Sequence, residues 1–157
     1  MNMNMDKEKI RELLINYAIA LDSRSWLSLN NIFHKDATAS YGSEAIEQLY
    51  KPSSRDEIIN MCKQSLGGCG PTQHLLSNFR ITTNPNSNKA NSKCYVRAFH
   101  AGMEPNENEY YEMFGEYQDE LQKFDNDWMI VKRQLRVDLE KGNRDKVLAP
   151  GTLKDGF

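Results

Sequence analysis

Several features that mark large classes of protein are scarce in this sequence. It has three cysteines, Cys62, Cys69 and Cys94, whose spacing matches no metal-ligand motif, so a reduced cytoplasm fits better than a disulfide scaffold. No apolar run approaches the roughly 20 residues of a membrane helix, and the polar residues 1–6 lack the apolar core of a signal peptide. The net charge of −2 provides no basic face for nucleic acid. We therefore expect a cytoplasmic protein that binds neither membranes nor nucleic acid.

Length and apolar content predict one domain. A chain of 157 residues, 39% of them hydrophobic, suits a single packed core. Periodic patterns run over about residues 6–139, whereas the glycines and the proline of residues 140–157 predict an irregular tail. The domain is therefore expected to span residues 1–157, with its core in 6–139.

Three helical patterns come first. Residues 6–21 carry an amphipathic stripe, and the polar residues 22–25 end it. A second, short helix is predicted from the apolar spacing of residues 26–33. A third helix begins at a capping box formed by Ser54 and Glu57 and ends at Gly67 and Gly68. Between the second and third helices we predict a short strand at 37–41 and a loop at 43–53.

From residue 72 the period changes to two. This alternation predicts four long strands, at residues 72–83, 92–103, 110–124 and 128–139. Strict alternation places Leu75, Phe79 and Ile81 on one face of the first long strand and His74 on the other. In the last strand it places Trp128 and Ile130 opposite Val131 and Arg133. We expect an α+β fold, in which a cone-shaped, curved antiparallel sheet packs on three N-terminal helices and encloses a pocket.

Asp22 and His74 are the first candidates for chemistry. Asp22 lies where the first helix ends, and His74 opens the first long strand. An imidazole can take and give a proton near neutral pH, and a carboxylate on its other nitrogen fixes the tautomer. The alternative is that Asp22 only caps the helix and His74 only bonds at a strand end. Residue types alone leave both interpretations open.

Three segments resemble a known superfamily. They are NYAIALDSRSWLSLNNIFHKDATASYG, TQHLLSN and GEYQDELQKFDNDWMIVKR, and the likeness extends over about residues 6–148. These segments resemble the SnoaL-like branch of the nuclear transport factor 2-like superfamily. Within it, the chain is most similar to the scytalone dehydratase, bile-acid dehydratase and hexachlorocyclohexane dehydrochlorinase group.

The resemblance implies roles for individual residues. It implies that Asp22 and His74 form the Asp-His dyad of that group, and that His100 is a second pocket histidine that could protonate a leaving hydroxyl. It also implies that Tyr41 and Tyr17 donate hydrogen bonds to a substrate carbonyl. The alternatives without a catalytic role are that His100 is a hydrogen-bonded core histidine and that both tyrosines only pack in the core.

The sequence also departs from those enzymes. Gly115 and Tyr117 stand where the scytalone-type enzyme has a serine and an asparagine, so Tyr117 is the remaining candidate for a substrate contact there. His100 replaces a pocket acid of the bile-acid enzyme, and Arg136 could match its C-terminal arginine. Asp22, His74 and His100 could also ligate a metal by type, but their spacing matches no metal motif, and we predict no metal and no cofactor.

The resemblance therefore implies a cofactor-independent lyase of the dehydratase type, or an isomerase. Its substrate would be a small oxygenated polyketide, aromatic or terpenoid-like molecule. The alternative is a non-catalytic ligand-binding or assembly subunit, similar to a ring-hydroxylating dioxygenase β subunit, because a fold does not fix a function. Tyr95, Phe99 and Val131 are expected on the outer sheet face, which predicts a homodimer or homotrimer.

Overall fold

The computed structural model describes residues 3–43, 48–84 and 86–148, and they form three helices, one 3-10 helix and six strands. No helix in this part of the chain is long and apolar enough to cross a membrane. The elements, in chain order, are α1 (Met3–Asp22), a 3-10 helix (Trp26–Asn31), β1 (Phe33–Ser43), β2 (Gln48–Tyr50), α2 (Arg55–Gly67), β3 (Thr72–Thr83), β4 (Lys89–Ala101), β5 (Tyr110–Phe124), β6 (Asp127–Gly142) and α3 (Arg144–Val147).

All six strands belong to one sheet, in the order β2-β1-β6-β5-β4-β3. The neighbours are antiparallel except for β1 and β6, which run parallel, with Tyr41 opposite Leu135. The α+β fold with N-terminal helices on a curved sheet is confirmed. The expectation of a purely antiparallel sheet is wrong, because β1 pairs with β6 in the parallel direction.

Most elements lie close to their predicted places. The bounds of β3 and β5 agree with the prediction, and Ser54 accepts a hydrogen bond from the Glu57 amide at the start of α2. Other bounds differ: β1 takes in residue 33 from the predicted second helix, β2 lies within the predicted loop, and β4 is shifted to 89–101. Residues 140–148 are ordered as the end of β6 and α3, so the irregular tail is wrong there, and 149–157 lie outside the described residues.

Two bulges change which side chains face the core. In β3, Asn78 has φ 55 and the register shifts between Ser77 and Arg80, so Phe79 and Ile81 turn to the face that carries His74. The prediction that they share a face with Leu75 is therefore wrong. In β6, an extra residue at Val131 likewise places Arg133 on the face of Trp128 and Ile130. An added residue reverses every later side chain, since the strand period is two.

The core lies between the helices and the inner face of the sheet. α1 packs along β3. A polar contact fixes the first turn of α1, where Asp6 accepts hydrogen bonds from Lys123 at 2.7 Å and from Trp128 Nε1 at 3.0 Å. The inner faces of β4 and β5 present alternating buried residues. The buried side chains from the helices include Ile10, Leu14, Tyr17, Leu21, Leu29, Ile58, Met61, Cys62 and Leu66.

Candidate active site

The end of α1 and the start of β3 bring Asp22 and His74 together. Asp22 is the last residue of α1, and His74 is the third of β3. Asp22 Oδ1 lies 2.7 Å from His74 Nδ1, and Asp22 Oδ2 accepts the His74 backbone N–H at 2.9 Å. Thr72 donates its hydroxyl to Asp22 Oδ1 at 2.9 Å. The expected contact between the two residues is therefore present.

These bonds set the protonation of the pair. Partial burial raises the pKa of Asp22, but hydrogen bonds from the His74 ring, the His74 backbone and Thr72 outweigh it, so the pKa lies below its usual value. Because the ionised carboxylate can only accept, His74 Nδ1 carries the proton. In the neutral imidazole, Nε2 is then the unprotonated nitrogen, and the His74 ring lies in the wall of a cavity.

His100 lies beside the dyad in a different protonation environment. Its ring meets the His74 ring edge-on, with 5.3 Å between centroids, and its Nδ1 lies 3.1 Å from the Tyr111 carbonyl oxygen. Burial, and secondarily the repulsion between the two histidine rings when both are protonated, lowers the pKa of His100 to about 3. A carbonyl only accepts, so Nδ1 is the protonated nitrogen and Nε2 is a free acceptor. In this resting state His100 can accept a hydrogen bond, but it holds no proton for the leaving hydroxyl that the sequence suggested.

The cavity of about 120 Å³ is lined by residues of α1, α2 and the inner face of the sheet. Its walls are mainly apolar, and His74, His100 and several phenol groups are its polar members. An engineered apolar cavity of about 150 Å³ in another protein accepts benzene, so this volume suits one six-membered ring. The main lining residues are Leu21, Met61, Leu66, Met113, Leu135, Val137, Tyr17, Tyr41, Tyr111, Tyr117 and Glu140.

Tyr17, Tyr41 and Tyr117 all reach this cavity. The hydroxyls of Tyr17 and Tyr41 are 3.1 Å apart, so one donates a hydrogen bond to the other. Burial raises the pKa of Tyr41 well above its ordinary value, so it stays a donor. Tyr117 meets Tyr17 edge-on, with 5.7 Å between centroids. All three positions suit a ligand contact, and all three also pack in the core.

Arg136 does not reach the cavity. Its side chain is 47% exposed and pairs with Asp138 through Nε at 2.7 Å, on the opposite face of the sheet. The expected pocket contact of Arg136 is therefore wrong. The expectation rested on the family resemblance, and after the bulge at Val131 the side chain of Arg136 lies on the face opposite Trp128 and Ile130.

The family of the chain can now be stated from a direct comparison. The SnoaL-like domain matches residues 4–134. The chain belongs to the SnoaL-like family. Its place in the SnoaL-like branch of the nuclear transport factor 2-like superfamily, inferred from three segments of sequence, is confirmed.

Solved structures share the fold of this SnoaL-like protein. A Novosphingobium aromaticivorans protein assigned as an aromatic ring hydroxylase is 19% identical, covering 93% of this chain and 99% of its own, with a TM-score of 0.79. A second protein from that organism, assigned as a scytalone dehydratase, is 21% identical, covering 94% of both chains, with a TM-score of 0.77. Hexachlorocyclohexane dehydrochlorinase LinA-type3 from Novosphingobium barchaimii is 17% identical, covering 88% and 90%, with a TM-score of 0.74. No curated protein matches the sequence. At these identities the structures establish the fold alone.

The SnoaL-like domain has a polar group at the cavity that sequence reasoning missed. Tyr111 donates its hydroxyl to Glu140 Oε1 at 2.6 Å, and Arg144 Nη1 donates to the same oxygen at 3.2 Å. A further bulge in β6, at Asp138, turns Glu140 toward the cavity. Glu140 and Arg144 lie in the segment predicted to be irregular, so the sequence carried no pattern that would have placed them.

A larger groove of about 710 Å³ lies elsewhere on the surface, between α1, the 3-10 helix and the β5–β6 turn. It contains neither His74 nor His100, whereas the smaller cavity gathers both. The smaller cavity is therefore the candidate site. Within residues 3–43, 48–84 and 86–148, no three histidine, cysteine, aspartate or glutamate side chains are grouped as a metal site.

Proposed function

We propose that this SnoaL-like protein is a lyase of the dehydratase type, or an isomerase, in which His74 moves a proton. The observation that carries the proposal is the 2.7 Å contact between Asp22 Oδ1 and His74 Nδ1 in the wall of a mainly apolar cavity. The contact leaves His74 Nε2 able to take a proton from a bound molecule. Proteins of similar fold include one assigned as a scytalone dehydratase, which supports this reaction class.

The proposed reaction begins at a carbon next to a carbonyl group. His74 Nε2 takes the proton from that carbon, and the Asp22 carboxylate stabilises the imidazolium that forms. Electron density moves onto the carbonyl oxygen, to which Tyr41 or Tyr17 donates a hydrogen bond. In a dehydratase the neighbouring C–O bond then breaks, and the hydroxyl leaves as water with a proton from His74. In an isomerase His74 returns the proton to another carbon. These steps need only side chains of the chain, so the proposed enzyme is independent of cofactors.

The cavity limits the substrate. Its volume of about 120 Å³ and its apolar walls fit an oxygenated molecule with one ring, of polyketide, aromatic or terpenoid-like origin. His100 Nε2, which accepts but does not donate, would take a hydrogen bond from a substrate hydroxyl. We therefore propose a hydroxylated cyclic ketone as the substrate class.

The proposal can be tested by proton exchange, which detects the first step whatever the product. Monocyclic hydroxyketones would be incubated with the protein in D₂O, and deuterium at the carbon next to the carbonyl would be followed by NMR. We expect His74→Ala to lower the exchange rate at least about 10²-fold, because the proton acceptor is lost. His34→Ala is the matched control, since His34 stacks on Phe124 and lies outside the cavity. Exchange at the wild-type rate in His74→Ala would refute the proposal.

The outer face of the sheet supports a second proposal, that the chain assembles with copies of itself. Tyr95, Phe99 and Tyr110 are exposed there, and the rings of Phe99 and Tyr110 stack at 5.9 Å. Val131, expected on this face, is half-buried. We propose a homodimer or homotrimer through this face, and light scattering that shows a monomer at micromolar concentration would contradict it. An oligomer that binds ring compounds without exchange would favour the non-catalytic subunit.

A further inference from the structure

Arg24 has a backbone conformation that is unusual for its type. It lies two residues after α1 ends, and its φ is 58. The other non-glycine residues with positive φ in the described ranges are Asn78 and Asp125, both types that tolerate the left-handed region. Glycine is the usual residue just after a helix, because it has no Cβ to clash. An arginine at this place is strained, and both backbone bonds of the helix end and its own side chain hold it there.

The guanidinium of Arg24 joins the two elements that carry the dyad. Arg24 Nη1 donates to the Leu21 carbonyl oxygen at 2.7 Å and to Thr72 Oγ1 at 2.8 Å. Arg24 Nη2 donates to the Gly70 carbonyl oxygen at 2.8 Å. One side chain therefore connects the end of α1, next to Asp22, with the start of β3, two residues before His74.

The contact with Thr72 has a direction. A threonine hydroxyl has one proton, and a guanidinium can only donate. Because Thr72 Oγ1 accepts from Arg24, its own proton is free to point at Asp22 Oδ1, 2.9 Å away. Asp22 Oδ1 then accepts from both Thr72 and His74 Nδ1, while Oδ2 accepts from the His74 backbone. Hydrogen bonds therefore fix the position of both carboxylate oxygens of Asp22.

We infer that Arg24 and Thr72 are positioning residues for the dyad. Arg24 orients the Thr72 hydroxyl, and Thr72 fixes the Asp22 carboxylate with Oδ1 against His74 Nδ1. This inference rests on the proposed function only in treating the dyad as the proton-transfer group. The arrangement itself can be measured in the resting protein, because partners in this outer layer determine which tautomer a histidine adopts.

The test compares four variants by the ¹⁵N chemical shifts of the His74 ring. We expect the wild type to show one tautomer, with the proton on Nδ1. Thr72→Val, which keeps the shape but removes the hydroxyl, and Arg24→Gly, which relieves the backbone but removes the guanidinium, should show a mixture with the Nε2–H tautomer. Thr72→Ser should restore the single tautomer, whereas Arg24→Lys should restore it only partly, because an ammonium cannot match the planar fork of donors.

Two further readouts separate positioning from a general structural role. The pKa of the Asp22 carboxyl, followed by ¹³C NMR, should rise in Thr72→Val, because one of the hydrogen bonds that lower it is lost. Proton exchange on a hydroxyketone should fall about 10- to 100-fold in Thr72→Val and recover in Thr72→Ser, the range expected when a reacting group is misplaced. Thermal unfolding midpoints would confirm that the variants are folded.

The inference is overturned if Thr72→Val and Arg24→Gly keep the Nδ1–H tautomer and the wild-type pKa of Asp22. If Thr72→Val fails to fold, Arg24→Gly carries the same test, and failure of both to fold would make the cluster a structural clamp instead. A changed tautomer with unchanged proton exchange would support the positioning role and refute the proposed function. The two ideas can therefore fail separately.

Discussion

Arg133 is the largest fully buried side chain in the described part of the chain, and it is charged. Its Nε and Nη2 donate to the two Asp119 oxygens at 2.7 and 2.8 Å. Its guanidinium carbon lies 4.1 Å from the Tyr17 ring centroid and 4.2 Å from that of Tyr117. The ion pair therefore supports the tyrosines that line the cavity. Burying two charges is costly, and the bidentate bond and the aromatic faces offset that cost.

Removing one partner of this ion pair should be more harmful than removing both. In Asp119→Leu, the guanidinium stays buried without its acceptor, and we expect a loss of about 3–5 kcal/mol in the free energy of unfolding. The double variant Asp119→Leu/Arg133→Met should recover most of it, because no buried charge remains. Urea unfolding measures both. Equal losses in the single and double variants would show that packing, not charge pairing, dominates here.

At this scale the sequence predicted part of the site. Asp22 and His74 were candidates because an acid at a helix end and a histidine at a strand start are visible as residue types, and the family resemblance then implied that they pair. Arg24 could not be found, since its side chain reaches Thr72 only from a left-handed backbone that the sequence pattern does not predict. Arg136 was expected in the pocket only from the resemblance, and its side chain instead pairs with Asp138 at the surface.

Among the elements, β3 was predicted with the correct bounds, but the faces on which its side chains lie were predicted wrongly. Its bounds follow from the alternation of residues 72–83. The alternation does not show that Asn78 and Phe79 together lie opposite Cys94, because the sequence has no pattern that identifies an extra residue in a strand. The bulge lets β3 present His74 near one end and Phe79 and Ile81 near the other on the same inner face. Long patterned elements were therefore predictable, and the bulges and the parallel pairing of β1 were not.

The bulge makes a prediction about Asn78. A β-branched side chain at φ 55 is strained, so Asn78→Val should lower the free energy of unfolding by about 1–3 kcal/mol. Asn78→Gly, which tolerates this conformation, should change it by less than about 1 kcal/mol. Ser77→Val is the control, since Ser77 is exposed in the strand next to the bulge, and surface changes cost about 0.5 kcal/mol or less. Urea midpoints that rank Asn78→Val with Ser77→Val would contradict the prediction.

For the whole molecule, the buried His100 should make stability depend on pH. The pKa of His100 is about 3 in the folded protein and about 6.5 in an unfolded chain. Between these values the unfolded chain binds a proton that the folded protein does not. The neutral, buried His100 therefore does not lower the free energy of unfolding above pH 6.5. As the pH decreases below this value, the free energy of unfolding falls by up to about 1.4 kcal/mol per pH unit. Below about pH 4, the carboxylates Asp22 and Asp6, whose pKa values hydrogen bonds lower, add to the loss.

Unfolding by urea at pH 7.0 and pH 4.5 would test this dependence. We expect His100→Gln, whose amide can still donate to the Tyr111 carbonyl, to be less sensitive to this change than the wild type. His34→Gln should keep the full loss, because His34 lies outside the core. The difference between variants cancels the contribution of every other titrating group. A wild-type loss in His100→Gln would show that His100 is not the source.

The pairing of β1 with β6 has a consequence for how the protein is made. Tyr41 of β1 lies opposite Leu135 of β6 in the sheet. β1 can therefore pair with β6 only when this last strand has left the ribosome. Leu135 and Val137 also close the cavity, and Lys123 and Trp128 anchor the first turn of α1. Until then the apolar face of α1 and the open edge of β1 are exposed in the nascent chain. The nascent chain is therefore prone to aggregation until β6 has been synthesised, and the cavity is complete only then.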